Sequence, residues 1–275
     1  MDLIRLASFS DGEIGGNPAG VYIADKHPEV AQMHAIAADV GYSETAFAEP
    51  MGCNWRVRYF APESEVPFCG HATIALGAAL SMKNGTGVYT LQLNEAEITV
   101  EGFMQSGEYS AALQSPPTHS KAAEHALIDD ALQLFGYTKD DLDDSLPPAF
   151  ANGGANHLVI GLNSRSALAN MQYCLDEGRN FMNDAKLVTV MFVFSENEQL
   201  FHTRNAFASG GVLEDPATGA ATAAFAGYLR DIQWPHKGTI DIVQGEDMGA
   251  RSLIRAEIDD QIGSSIRVSG AVRQI

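Results

Sequence analysis

Two stretches of this chain are charged only at their beginnings and otherwise consist of small, uncharged residues. They are "EVPFCGHATIALGAAL" at 65–80 and "LEDPATGAATAAFAGYL" at 213–229. A helix that is uncharged all round is normally buried all round. Alanine, glycine and threonine let neighbouring strands come close, so each stretch predicts a central helix inside a curled sheet. The longest run without a charged residue or histidine, 216–229, is well short of the roughly 20 residues needed to span a bilayer. The start of each helix asks for a further account. The first turn offers unpaired N–H groups and a partial positive charge, and an anion such as a carboxylate binds there readily. The backbone near Gly70–His71 and near Thr218–Ala220 is therefore a candidate carboxylate grip.

The approach to each helix repeats as well. "RYFAPESEVPFCGHATIALG" runs from Arg58 and Phe60 through an acidic loop into the first helix. "RNAFASGGVLEDPATGAATAAFAG" runs from Arg204 and Phe207 through another acidic loop into the second. This predicts two copies of a strands-plus-helix unit with one cleft between them. Turn residues cluster at "SPPTHS" (115–120), which sets the expected domains at 1–117 and 118–263, with a last strand near 264–275 packing back on the first. Around the two helices, 2–9, 20–24, "SETAFAEP" and "NWRVRYFAP" have strand composition. Residues 28–40 have helical spacing with Gly41 as a natural stop. "KAAEHALIDDALQLFG" predicts an amphipathic helix ending at Gly136, and "SRSALANMQYCLDEG" a second helical stretch.

Composition narrows the function. Hydrophobic residues make up 45% of the 275 and charged residues 19%, a globular balance. The formal charge of -18 disfavours a nucleic acid or an anionic membrane surface as partner. Three well-separated cysteines, Cys53, Cys69 and Cys174, do not make a disulfide framework. The N-terminal residues lack a basic region followed by a long apolar one, so the expectation is a cytoplasmic protein. There is no G-x-G-x-x-G, Walker loop, H-E-x-x-H or C-x-x-C, so neither a nucleotide cofactor nor a metal is expected.

Three side chains near the helix starts are candidates for chemistry. His71 can accept or relay a proton near neutral pH. Cys69 can act as a thiolate, although a single cysteine is usually an inert hydrophobe. Asp215 before Pro216 is a standard N-cap and N1 pair, so a purely structural role is its simplest reading. His202 and Arg204 on a strand can meet an anion, as can many polar residues on one face of a strand.

Five motifs then occur in register: "GNPAGV" at 16–21, "SETAF" at 43–47, "CGHAT" at 69–73, "EDPATGAA" at 214–221 and "QGEDMGARS" at 244–252. With "RVSGAV" near the end they cover nearly the whole chain, which resembles the PhzF-like, phenazine-biosynthesis-type isomerases. The resemblance implies an α+β, diaminopimelate-epimerase-like fold: two similar halves, each a curled sheet around a central helix, with the active site between them. It implies catalytic roles for Glu44 as the main acid/base and for His71 and Asp215. It places Asn17, Ser43, Gly70, Gly219 and Ala220 along the pocket for a small carboxylate-bearing substrate. It further implies a cofactor-free isomerisation and a homodimer. Ala220 replaces the more usual serine, leaving only the backbone N–H there. Glu44 lies in apolar "GYSETAF", a setting suited to a proton carrier. Two rival readings are an epimerase or racemase of a small acid and a non-catalytic binding protein. A two-thiol racemase wants a cysteine at each helix start, and the second start has none.

Overall fold

The computed structural model describes residues 2–275. The described residues form two units, 2–114 with 269–275 and 115–268. No helix among the described residues is long and apolar enough to cross a membrane.

The first unit contains β1 (Asp2–Ser8), β2 (Asn17–Ile23), α1 (Val30–Val40), β3 (Thr45–Met51), β4 (Asn54–Phe60), β5 (Glu65–Val66), α2 (Gly70–Asn84), β6 (Gly87–Gln92), β7 (Glu97–Gln105) and most of β8 (Glu108–Pro117). β1 and β2 are antiparallel, β2 and β3 parallel, β3 and β4 antiparallel, and β4 lies parallel to β6. The alanine-rich α2 is buried from His71 through Ser81 and packs against β1, β2, β3, β6 and β7. Its small residues are a steric requirement: a Cβ on Gly102 of β7 would lie 2.1 Å from the Gly77 carbonyl oxygen of α2. Consecutive Ala46, Phe47 and Ala48 of β3 are all buried, so both faces of that strand are covered. Met33 and Ala37 of α1 pack with Tyr22, Phe47 and Phe60 in a separate apolar cluster. Gly41 ends α1 with φ 71°, as its sequence position suggests.

The second unit begins within β8 and contains β9 (His119–Ala122), α3 (His125–Phe135), β10 (Ala149–Asn152), β11 (Asn156–Leu162), α4 (Arg165–Ala169), α5 (Leu175–Asp184), β12 (Thr189–Ser195), β13 (Leu200–Ala206), β14 (Glu214–Asp215), α6 (Gly219–Asp231), β15 (Thr239–Gln244) and β16 (Ser252–Glu257). It ends within β17 (Ser265–Gln274), which returns the chain to the first unit, where Leu6, Ala7 and Ser8 of β1 pair with Gln274, Arg273 and Val272. Strand directions repeat those of the first unit. β10–β11 and β12–β13 are antiparallel, while β11–β12 and β13–β15 are parallel. α6 is buried from Ala221 through Arg230 and packs against β9, β10, β11 and β16. Helices α3, α4 and α5 contribute to a second core with β11 and β12, in which Phe135 and Phe192 meet at 4.7 Å between ring centroids.

Two helical expectations need correction. Residues 121–122, expected to begin a helix, belong to β9, whose Ser120 and Lys121 pair with Ala151 and Phe150 of β10. The helix starts only at His125 and ends, as expected, at Gly136 with φ 75°. The stretch 164–178 is two helices instead of one. Ser164 caps α4 through a hydrogen bond accepted from the Ala167 N–H. At the other end Arg204 of β13 donates to the carbonyls of Ala169 and Met171 at 3.0 and 3.3 Å. These carbonyls are satisfied by a distant side chain, so α4 can stop there.

Candidate active site

In the first unit three motifs meet at the start of α2. Glu44 lies on the loop just before β3, not within the strand that "SETAF" suggests. Its carbonyl accepts the Gly20 N–H at 3.1 Å. Gly20 is required there because a Cβ would lie 2.6 Å from Thr45 Oγ1. The glycine of "GNPAGV" thus lets β2 close onto the segment carrying Glu44.

The Glu44 carboxylate reaches His71, with Oε2 at 3.5 Å from Nε2. Ser43 Oγ lies 3.3 Å from the same ring nitrogen. The His71 carbonyl accepts a 2.7 Å hydrogen bond from Ser8 Oγ, which fixes the backbone from below. Asn17 is opposite Ser8 across β1 and β2, so the two side chains share a face of the sheet. Gly70 opens α2, and a Cβ there would meet no atom within 4 Å. Space therefore remains over the first turn, where helix N–H groups have no partner in the helix ladder. Glu44 Oε2 is itself buried and has no hydrogen-bond partner.

Cys69 is the N-cap of α2 and is buried. Its sulfur lies 3.4 Å from His71 Nδ1 and 3.9 Å from Nε2. Glu44, Cys69 and His71 each have a donor atom within 4.8 Å of the others, near enough for a metal by distance alone. The similar distances to the two ring nitrogens put the sulfur over the flank of the imidazole, off the line of either in-plane lone pair. As arranged, the three side chains form a close carboxylate–imidazole–thiol cluster in which the sulfur does not lie on either ring lone pair.

The start of α6 differs from the sequence expectation. The helix begins at Gly219 with Thr218 as N-cap, so Asp215 and Pro216 are not the N-cap and N1 pair. Asp215 lies in β14, where it pairs with Asn205 of β13. Its Oδ2 accepts a short hydrogen bond from Thr218 Oγ1. The Thr218 N–H, expected as part of a carboxylate grip, instead donates to Gln244 Oε1 at 3.2 Å. Of the residues expected to form that grip in the second unit, Gly219 and Ala220 open the first turn of α6. Gln244 also donates through Nε2 to the Asp215 carbonyl at 2.7 Å and to Thr218 Oγ1 at 3.0 Å. Gln244 opens the "QGEDMGARS" motif, yet the sequence assigned it no role of its own. Its signal is a glutamine closing the apolar strand "TIDIVQ", where the fold buries it fully.

His202 and Arg204 are held by internal partners. His202 Nε2 is 2.7 Å from Glu196, and Arg204 binds both oxygens of Glu214 through Nε at 3.0 and 3.2 Å. The matching pair of the first unit is Arg58 with Glu65, at 2.8 and 2.6 Å. Its hydrogen bonds raise the Arg58 guanidinium and lower the Glu65 carboxyl from their ordinary pKa values.

The profile of phenazine biosynthesis-like proteins (PhzC-PhzF) matches residues 6–273. An uncharacterized isomerase, YfhB, from Bacillus subtilis is 26% identical over 98% of this chain and 94% of its own length. The trans-2,3-dihydro-3-hydroxyanthranilate isomerase of Pseudomonas chlororaphis is 27% identical over 96% of this chain and 93% of its own. Among solved structures, the Bacillus anthracis phenazine biosynthesis protein of the PhzF family superposes with a TM-score of 0.86. It is 20% identical, over 99% of this chain and 96% of its own.

Proposed function

The chain belongs to the phenazine biosynthesis-like, PhzC-PhzF family, and from that premise we propose that it is a cofactor-independent isomerase of a small unsaturated carboxylate. The observation that carries the reading is the Glu44–His71 pair at the open first turn of α2. Glu44, as a carboxylate, takes a proton from a carbon next to the double bond or carboxyl group. The electron pair left behind spreads over the allylic system. Glu44, now a carboxylic acid, returns the proton at the far end, so the double bond moves and the atoms balance. Helix-start N–H groups stabilise the substrate anion while charge develops. His71 and Ser43 fix the Glu44 carboxylate and the reacting group, while Asp215 orients the substrate or handles a second proton. Relatives named as isomerases support the reaction class. Asn17, Gly70, Gly219 and Ala220 provide further contacts for the substrate carboxylate.

The test is proton exchange in heavy water. Small unsaturated acids, including trans-2,3-dihydro-3-hydroxyanthranilate, are incubated with the protein and followed by NMR. The expected result is deuterium at one carbon of an isomerised acid. Glu44→Gln should slow labelling by on the order of 10²–10⁴-fold. Labelling at the wild-type rate in that variant, or acids that bind and stay unlabelled, would overturn the proposal.

A further inference from the structure

A buried polar chain in the second unit ends on Asp215, and no step of the isomerisation uses it. Thr218 has one hydroxyl hydrogen, and it goes to Asp215 Oδ2. Thr218 Oγ1 can then only accept from Gln244 Nε2, at 3.0 Å. With its NH₂ group so engaged, Gln244 turns Oε1 toward two donors, the Thr218 N–H and Asn205 Nδ2, each at 3.2 Å. Rotating the amide would set carbonyl against carbonyl and N–H against N–H, so only one orientation satisfies the site. Asn205 Oδ1 in turn accepts the Thr189 hydroxyl at 3.1 Å. Thr189, its hydrogen committed, accepts from His157 Nδ1 at 2.8 Å. His157, Thr189, Asn205 and Gln244 are all fully buried. Burial pushes the His157 pKa down to about 4, so the ring is neutral and carries its hydrogen on Nδ1. Along the side chains each donor points the same way, from His157 toward the Asp215 carboxylate, and only the Thr218 backbone N–H points back, to Gln244. Such chains polarise each successive bond.

We propose that Gln244 is a positioning residue: it fixes the rotation of the Asp215 carboxylate through Thr218. The proposal rests on the reading of Asp215 as a substrate-orienting or proton-handling group. Folding of a unit of this kind does not call for the chain. In the first unit, Arg56 and Gln92 pair two residues before Arg58, just as His202 and Val243 pair two residues before Arg204. The residue in register with Gln244 is therefore Leu93, which is buried and apolar. One unit fills the position with hydrocarbon, whereas the other orders five polar side chains behind a carboxylate.

The experiment compares wild type with Gln244→Glu, which keeps the Oε1 contacts and removes the donor, and with Thr218→Val, which removes only the hydroxyl. Crystal structures of both variants should show the Thr218–Asp215 hydrogen bond broken and the carboxylate turned. In the heavy-water assay both should lower kcat on the order of 10–100-fold, the scale of a displaced reacting group, with far smaller change in KM. Because Gln244 acts through Asp215, Asp215→Asn combined with Gln244→Glu should be no slower than Asp215→Asn alone. Multiplied effects in the double variant would overturn the proposal, as would an unmoved Asp215 carboxylate in the Gln244→Glu crystal. Should wild type label no acid, the isomerase reading falls, while the crystal structures still decide the positioning: a turned carboxylate upholds it and an unmoved one ends it.

Discussion

In the first unit β4 leads through the Arg58–Glu65 pair into α2; in the second, β13 leads through the Arg204–Glu214 pair into α6. The same frame then presents different chemistry. At the start of α2 polar groups from two segments gather around one imidazole: Glu44 and Ser43 from the loop before β3, and Cys69 from the N-cap. At the start of α6 one carboxylate is locked from behind by Thr218 and Gln244. A buried helix needs small residues along its body and tolerates variety only at its first turn, where the sheet leaves it uncovered. The two helices therefore differ most at their starts, while both bodies are buried runs of mostly small residues.

The sharpest way to break the comparison is to remove the proposed acid/base group, Glu44. Glu44→Gln is expected to cost at least about 10²-fold in deuterium labelling, whereas the helix bodies and the melting temperature should change little. Next comes the ion pair common to both frames. Arg204→Leu strands the buried Glu214 and the carbonyls of Ala169 and Met171. It should destabilise the protein by about 3–5 kcal/mol in urea denaturation. Arg58→Leu, in a more exposed pair, should cost only about 1 kcal/mol. A loss at Arg58 as large as that at Arg204 would show that the difference in burial does not separate the two pairs.

The polar chain carries a pH signature that the apolar first unit lacks at that position. His157 has its folded pKa near 4, below the ordinary 6.5. The unfolded chain therefore binds the proton first. Stability is full above about pH 6.5 and falls as pH drops toward 4, by up to roughly 3 kcal/mol. Denaturation midpoints of His157→Gln across that window should be flatter than those of wild type; parallel profiles would remove His157 as the cause. The smallest effect is expected at Cys69. Because its sulfur lies on the flank of the imidazole, Cys69→Ala should slow labelling less than about tenfold, below the usual worth of an acid/base group. A loss matching that of Glu44→Gln would make the thiol an equal partner.

The sequence by itself determined the parts that depend on local composition and spacing. Uncharged runs of small residues gave α2 and α6 as buried helices, the glycines at 41 and 136 stopped α1 and α3, and the repeated arginine–acid–helix order pointed to duplication. The motif residues Glu44, Ser43 and His71 did come together. Tertiary structure decided everything that depends on which distant group supplies a hydrogen bond. Arg204 ends α4 from 33 to 35 residues away, and β9 takes residues that would otherwise extend α3. Asp215 is an acceptor for Thr218 instead of a helix cap. Gln244, from 26 residues beyond Thr218, shapes the turn that holds Asp215. Helix and turn propensities act over a few neighbours, but a buried polar group must be satisfied by whatever the fold brings within about 3 Å. That partner is set by strand register, which local sequence pattern does not encode.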